Sequence, residues 1–211
     1  MPHTRTRTAL AGVLTLATLA LAGCSADDRA DGRSPAATSD AGAAGAVGSA
    51  TSADAVLAPY GLDGLEAVQV VDALEATPLA ERPADLTASV RPREVVLDSP
   101  AGTATLPLPD DAFYLSLAPY VSATHPCAQH SLTTCRGELG GAEVALTVVD
   151  DATGKTLVDD TRTAADNGFV GLWLPRDREL TVRVQVDGRA ASTQVTTSDD
   201  ADTCLTTLQL T

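Results

Sequence analysis

The chain has 211 residues, enough for one or two small domains, and carries 28 acidic against 14 basic side chains, for a formal net charge of −14. So acidic a chain lacks the basic face that nucleic acids require, and it is also unsuited to electrostatic binding on anionic lipid. The fold class predicted from the elements below is mainly β, with a C-terminal antiparallel β-sandwich, a small N-terminal α/β unit and a disordered N-terminal tether.

Residues 1–23 have the features of a lipoprotein signal peptide. Two arginines precede an apolar run from Ala9 to Leu21, which is short for a membrane span. The LAGC sequence that ends at Cys24 resembles the bacterial lipobox, and this resemblance implies cleavage before Cys24 and diacylglycerol on its sulfur. An ordinary signal peptide with an incidental cysteine is the alternative. We expect an extracytoplasmic protein, anchored by lipid at the cell surface or the periplasmic face of a membrane.

Residues 24–53 are predicted to be the lipidated cysteine and a disordered tether. They are mostly Ala, Gly, Ser, Thr and Asp, with almost no large apolar side chain. Such a segment cannot bury enough surface to offset its chain entropy. A flexible chain of this length spans roughly 30 Å, so it would hold the folded part away from the membrane.

Residues 54–110 are predicted to form a small unit of one helix and one hairpin. Asp63 is expected to cap a helix whose apolar side chains recur at helical spacing between Leu65 and Leu74. Residues 86–90 suit a short strand. Two alternating runs flank a Ser-Pro-Ala-Gly turn between residues 94 and 106, which predicts the hairpin.

Residues 111–211 are predicted to form a β-sandwich that carries a metal site. Apolar residues alternate with polar ones, and turn sequences such as Asp187-Gly188 separate the runs. The predicted strands cover residues 113–118, 144–149, 155–159, 169–174, 180–186, 190–197 and 204–210. Strands at this spacing are typical of a sandwich. Residues 153–184 also resemble prealbumin-like sandwich domains, at the level of fold only.

Soft metal ligands are concentrated in a segment without regular apolar pattern, residues 121–137, which is predicted to be a long functional loop. His125, Cys127, His130 and Cys135 lie within eleven residues, and Cys204 follows at the start of the last strand. Every other Cys or His of the chain lies in the first 24 residues. Thiolates with imidazole suit Cu(I) or Zn(II). The cysteine spacing is not C-x-x-C, so neither a zinc knuckle nor a thioredoxin-type site is indicated.

Three interpretations of these residues stay open. In the first, Cys127, Cys135 and Cys204 give a trigonal thiolate set for Cu(I), while His130 and His125 supply imidazole or receive Cu(II) first. In the second, Cys127 and Cys135 form a structural disulfide and Cys204 remains unpaired. In the third, the thiols are a redox site that reduces Cu(II) or disulfides. An odd thiol is a liability outside the cell, which favours metal. No catalytic residue of known type is predicted, and the conversion expected of copper is stoichiometric reduction of Cu(II).

Six unusual stretches carry a family resemblance. They are GLDGLEAVQVVDAL, ERPADLTASVRPREVVL, FYLSLAPYV, THPCAQHSLTTCRGEL, DNGFVGLWLPRD and TCLTTLQL. On these, residues 61–211 resemble the CueP family of periplasmic or surface copper-binding proteins. The resemblance implies that Cys127, Cys135 and Cys204 bind copper and that His130 is the histidine of the family's C-x-x-H step. His125 falls in a looser part of the motif.

We therefore predict a copper-binding protein that sequesters Cu(I) through three cysteines, binds Cu(II) transiently, and confers copper resistance. Delivery to a copper enzyme, as in a metallochaperone of copper homeostasis, is a further expectation. The predicted partners are the copper ion, the copper-receiving enzyme and, through the lipid anchor, the membrane. The oligomeric state is left open, with a homodimer as one alternative. The alternatives are a thiol redox protein and a structural lipoprotein with the Cys127–Cys135 disulfide.

Overall fold

A computed structural model describes residues 51–211 of the chain. The predicted signal peptide, the predicted lipidation at Cys24 and nearly all of the predicted tether lie outside the described residues. The described residues fall within one compact unit. None of the helices in residues 51–211 is long and apolar enough to cross a membrane.

Two short helices open the described chain. Helix α1 covers Ala53–Leu57, a 3₁₀ helix covers Ala58–Tyr60, and helix α2 covers Ala67–Ala76. Helix α1 was not predicted, because five residues are too few to show a helical period.

Helix α2 was predicted, but its start was placed too early. The N-cap is Glu66 instead of Asp63, and Glu66 forms a capping box with Gln69, whose Oε1 accepts from the backbone N–H of Glu66 at 3.0 Å. Gly64 has a φ of 72°, so the chain still turns after Asp63 and becomes helical only after Glu66.

The described residues contain eleven strands. They are β1 Thr87–Val90, β2 Glu94–Ser99, β3 Gly102–Pro107, β4 Ala112–Leu117, β5 His130–Ser131, β6 Glu143–Asp150, β7 Thr156–Thr163, β8 Val170–Pro175, β9 Glu179–Val186, β10 Arg189–Thr196 and β11 Cys204–Leu205. They form three sheets, in the orders β3-β2-β1-β5, β10-β9-β6-β7 and β11-β4-β8. Pairing is antiparallel except between β11 and β4, which run parallel.

The second and third sheets pack face to face as a sandwich. Strands β6 and β9 bury every second residue, as their period-two pattern predicted. Their buried side chains share one apolar core with one face of β4 and β8, the two longer strands of the third sheet. This arrangement confirms the predicted mainly β fold, in which apolar burial on one sheet face drives the packing.

The opposite face of β4 and β8 packs on the N-terminal elements. Tyr114 of β4 and Trp173 of β8 belong to a second apolar core with α1, α2 and the strands β1 to β3. The two cores therefore lie on either side of the β4–β8 pair. Tyr114 points toward helix α2 for this reason, and the C-terminal turn of that helix lies beside the sheet that carries Cys204.

The last predicted strand, residues 204–210, is shorter than expected. Regular pairing covers only Cys204–Leu205. The backbone N–H of Ala118 donates to Leu205 O, and that of Tyr120 donates to Leu208 O. The segment after β4 thus advances by two residues while the segment after β11 advances by three. The extra residue interrupts the ladder of hydrogen bonds.

Candidate metal centre

Thr203 joins the cysteine-rich loop to the sheet that carries Cys204. Its backbone N–H donates to Ala128 O at 2.9 Å. Its hydroxyl accepts from the backbone N–H of His130 at 3.0 Å and donates to Val90 O at 2.7 Å. Because Thr203 is completely buried, these bonds are shielded from water. They bring Cys204 beside a loop that lies about 70 residues earlier in the chain.

A short strand inside the predicted loop orients His130 and Cys135. Strand β5 pairs with β1, so that His130 faces Val90 in the ladder. The chain then turns, and the backbone N–H of Cys135 donates to Ser131 O at 3.1 Å. The N–H of Ser131 donates in turn to Cys135 Sγ at 3.3 Å. This reciprocal contact folds Cys135 back toward Cys127.

The three predicted cysteine ligands lie together. The sulfur atoms of Cys127, Cys135 and Cys204 are all within 4.8 Å of one another. Cys127 and Cys204 form a disulfide with a Cα–Cα distance of 5.5 Å. Cys135 has a free thiol, with its Sγ 3.6 Å from Cys127 Sγ.

The alternative prediction of a Cys127–Cys135 disulfide is therefore wrong for this structure. Strand β11 places Cys204 against Cys127, while the turn after β5 holds Cys135 Sγ on the N–H of Ser131. Cys127 is the cysteine that contacts both of the others.

Apolar side chains cover one side of the cysteines. Cys204 is buried with Ala118 and Phe169, and the half-buried Cys127 and Cys135 pack against these three residues. On the other side of Cys127 lies an open groove of about 620 Å³, whose lining includes His125 and Thr206. The sulfur cluster is thus shielded from within and reachable from outside.

The two predicted histidines occupy different environments. His130 is fully buried, and its Nδ1 lies 3.9 Å from Cys204 Sγ. His125 is half-buried in the groove, and its Nδ1 lies 3.1 Å from the carbonyl oxygen of Pro126. The structure therefore brings His130 to the sulfurs and places His125 at the edge of the site, where its role as a ligand stays a prediction.

A buried carboxylate, Glu75, holds the far side of His130. Glu75 Oε2 lies 2.7 Å from His130 Nε2 and accepts from the Tyr114 hydroxyl at 2.8 Å. Glu75 Oε1 accepts from Asn167 Nδ2 at 2.9 Å. The guanidinium of Arg82 lies 3.9 Å from the same oxygen. The carboxylate is thus surrounded by donors, as a buried charge requires.

The sequence prediction missed Glu75, although one signal was present. Glu75 follows Val71 by four residues, so it lies on the apolar face of the predicted helix, where a charge is unexpected. A charged residue on such a face has a buried partner. The identity of that partner, 55 residues later in the chain, required the fold.

The site shifts the acid–base equilibria of its members in opposite directions. Burial by itself raises the pKa of Cys135, but His130 and the N–H of Ser131 more than offset this, and the net pKa lies below that of an ordinary thiol. Burial lowers the pKa of His130, whereas Cys135 and Glu75 raise it by more. Burial raises the pKa of Glu75, and His130, Asn167 and Tyr114 bring it below its ordinary value. These shifts favour a thiolate on Cys135 beside an imidazolium on His130.

Cys135 is expected to react with iodoacetamide at a lower pH than an ordinary thiol, because the thiolate is the nucleophile. The rate rises with pH through the pKa of Cys135, so a lowered pKa moves that rise toward acid. His130→Ala should move the rise back toward alkaline pH. The measurement is the rate of modification of the Cys135 peptide by mass spectrometry in the oxidised protein. His125→Ala is the matched control, and identical profiles for both variants would contradict the expectation.

Known proteins resemble this chain over most of its described residues. The family model described as "Periplasmic copper-binding protein CueP" matches residues 69–209. A solved structure titled "Crystal Structure of S.CueP" has 42% sequence identity and a TM-score of 0.71, and the match covers 77% of this chain and 99% of that one. No curated protein matches the chain. The family match extends from helix α2 through all three cysteines, and the chain belongs to the CueP family of periplasmic copper-binding proteins.

Proposed function

We propose that the reduced protein binds one Cu(I) ion through Cys127, Cys135 and Cys204. The observation that carries this proposal is the convergence of three sulfurs within 4.8 Å, two from the loop and one from β11. Three thiolates form a soft, low-coordinate donor set, which suits Cu(I) better than a closed tetrahedral zinc site. Copper binding requires reduction of the Cys127–Cys204 bond, because the thiolate is the form that binds metal.

In this proposal the histidines are the first residues to bind incoming copper. Imidazole suits Cu(II) as well as Cu(I), so His130 and the more exposed His125 receive Cu(II) before the thiols reduce it. Two thiols supply two electrons, which reduce two Cu(II) ions to Cu(I) while one disulfide forms and two protons are released. Given the pairing in this structure, the oxidised product is the Cys127–Cys204 bond. An external thiol must reduce this bond by thiol–disulfide exchange, and is itself oxidised, before all three thiolates can bind Cu(I).

The position of the cluster supports the proposal that the protein sequesters and delivers copper. The groove beside Cys127 gives a partner access to copper without unfolding of the site. The protein would sequester copper for resistance and transfer it to a copper-receiving enzyme. Lipid on Cys24 and the tether over residues 24–53 would keep the binding unit near the membrane. The LAGC motif supports this anchoring.

Competition between metals tests the proposed function. The reduced protein is titrated against a Cu(I) chelator and, separately, a Zn(II) chelator of known affinity. We expect about one Cu(I) per chain and retention of copper when zinc is present in excess. Preferential retention of zinc would contradict the proposal.

A thiol redox function is the second candidate, favoured by the free Cys135 thiol 3.6 Å from Cys127 Sγ of the disulfide. The two functions differ in stoichiometry. An oxidoreductase would consume many equivalents of reductant in the presence of Cu(II) or a disulfide substrate. A copper-binding protein would stop near one copper per site.

A further inference from the structure

We propose that Glu75 is a positioning residue of the copper site, which acts through His130 by fixing the imidazole so that Nδ1 faces the sulfurs as the metal-binding nitrogen. The inference rests on the proposed function. It assigns a role to a residue of helix α2 that lies outside the cysteine-rich loop and supplies no soft ligand.

The contact between Glu75 and His130 determines that Nε2 of the imidazole carries a hydrogen. His130 Nε2 lies 2.7 Å from Glu75 Oε2, and an ionised carboxylate only accepts, so Nε2 carries the hydrogen. A metal therefore binds at Nδ1 and displaces the proton that this atom carries when the ring is an imidazolium. That atom is 3.9 Å from Cys204 Sγ. The ring therefore links the carboxylate to the cysteines.

Packing prevents the ring from turning over. The His130 side chain is fully buried, and its ring lies 4.6 Å from the ring of Phe169, measured between centroids. The backbone of His130 is held by β5 and by the hydroxyl of Thr203. A reversed ring would separate Nε2–H from its buried acceptor and leave the carboxylate without this donor, which is unfavourable for a buried charge.

Glu75 is itself oriented by two donors that do not touch the cysteines. Tyr114 donates to Oε2, and Asn167 Nδ2 donates to Oε1. The Asn167 amide cannot turn over to face Glu75 with its oxygen, because Asn167 Oδ1 accepts from the backbone N–H of Phe169 at 3.1 Å. The carboxylate therefore meets donors on both oxygens, and an amide at this position would face at least one donor with its own NH₂.

A metal-binding histidine usually donates its second ring N–H to a carboxylate, and loss of that partner typically lowers metal affinity about 10–100-fold. A merely structural His–Glu pair would stabilise the fold without affecting copper through His130. The two roles are separable, because a residue that acts through His130 has no further effect once His130 is absent.

A double-mutant cycle on the full chain tests the inference. The rate at which Cu(I) forms after addition of Cu(II) is measured for the reduced wild-type protein, Glu75→Gln, His130→Ala and the double variant. We expect Glu75→Gln to slow this step about 10–100-fold in the wild-type background, because His130 binds Cu(II) before the thiols reduce it. In the His130→Ala background we expect almost no further slowing. Tyr114→Phe, which removes one donor but keeps the carboxylate on His130, is the matched control and should have a smaller effect than Glu75→Gln.

Nitrogen-15 NMR of the imidazole in the reduced, copper-free wild-type protein provides a readout that depends neither on copper nor on folding of a variant. We expect a protonated Nε2, and an unprotonated Nε2 would overturn the inference. Equal slowing by Glu75→Gln in both backgrounds, or no slowing in either, would also overturn it while leaving the proposed function intact. Failure of the wild-type protein to bind Cu(I) would instead reject the proposed function, and this inference with it.

Discussion

Replacing Cys127 with serine is expected to weaken Cu(I) binding by more than about 100-fold, because removal of a ligand should exceed the cost of losing one of its supporting contacts. Cys127 lies between the other two sulfurs, bonded to Cys204 and 3.6 Å from Cys135. A serine hydroxyl is a poor ligand for a soft cation. The measurement is the Cu(I) dissociation constant by chelator competition under reducing conditions.

Cys135→Ser and Cys204→Ser are expected to weaken binding greatly as well, since the account assigns all three thiolates to one site. Thr134→Ala is the matched control, because this exposed residue adjoins Cys135 and its hydroxyl contacts Ser131 instead of the sulfurs. Wild-type affinity in Cys204→Ser would show that Cys204 is a bystander and that only the loop binds copper.

Reduction of the Cys127–Cys204 disulfide is expected to lower the free energy of unfolding by about 4 kcal/mol. The bond joins residues 77 positions apart, and closing so long a loop removes much conformational entropy from the unfolded chain. Urea unfolding of the oxidised and the reduced copper-free protein measures the difference. Cu(I) should restore stability to the reduced protein, because it binds the folded state.

Cys127→Ser is the control for this second experiment. It cannot form the bond, so its stability should resemble that of the reduced wild-type protein whether or not a reductant is present. Equal unfolding midpoints for oxidised and reduced wild-type protein would contradict the expectation, and would mean that the loop and β11 are held together by contacts such as those of Thr203 alone.

The sequence predicted what depends on local pattern. The period-two alternation from residue 144 onward identified β6, β8 and β9, because each buries alternate side chains in one core. The concentration of Cys127, His130 and Cys135 in one segment predicted that the loop is a metal site, and the structure brings the two loop sulfurs close to that of Cys204. These signals are contained within short windows of the chain, where sequence reasoning is strongest.

The features that the sequence did not predict depend on contacts between distant segments. The disulfide pairing is decided by β11, which places Cys204 against Cys127, and no spacing rule specifies that geometry. Glu75 was missed because it lies on helix α2, whereas its partner His130 lies on strand β5, 55 residues later in the chain. The shortened last strand depends on a single extra residue in the pairing near Tyr120.

X-ray absorption at the copper edge of the reduced, copper-loaded protein tests the central claim most directly, namely that one copper ion is bound by all three cysteines. The account predicts a Cu(I) edge and three sulfur neighbours, with the thiols of Cys127, Cys135 and Cys204 all protected from alkylation. A Cu(II) spectrum that persists while these three thiols stay free, or a shell of only two sulfurs, would contradict it.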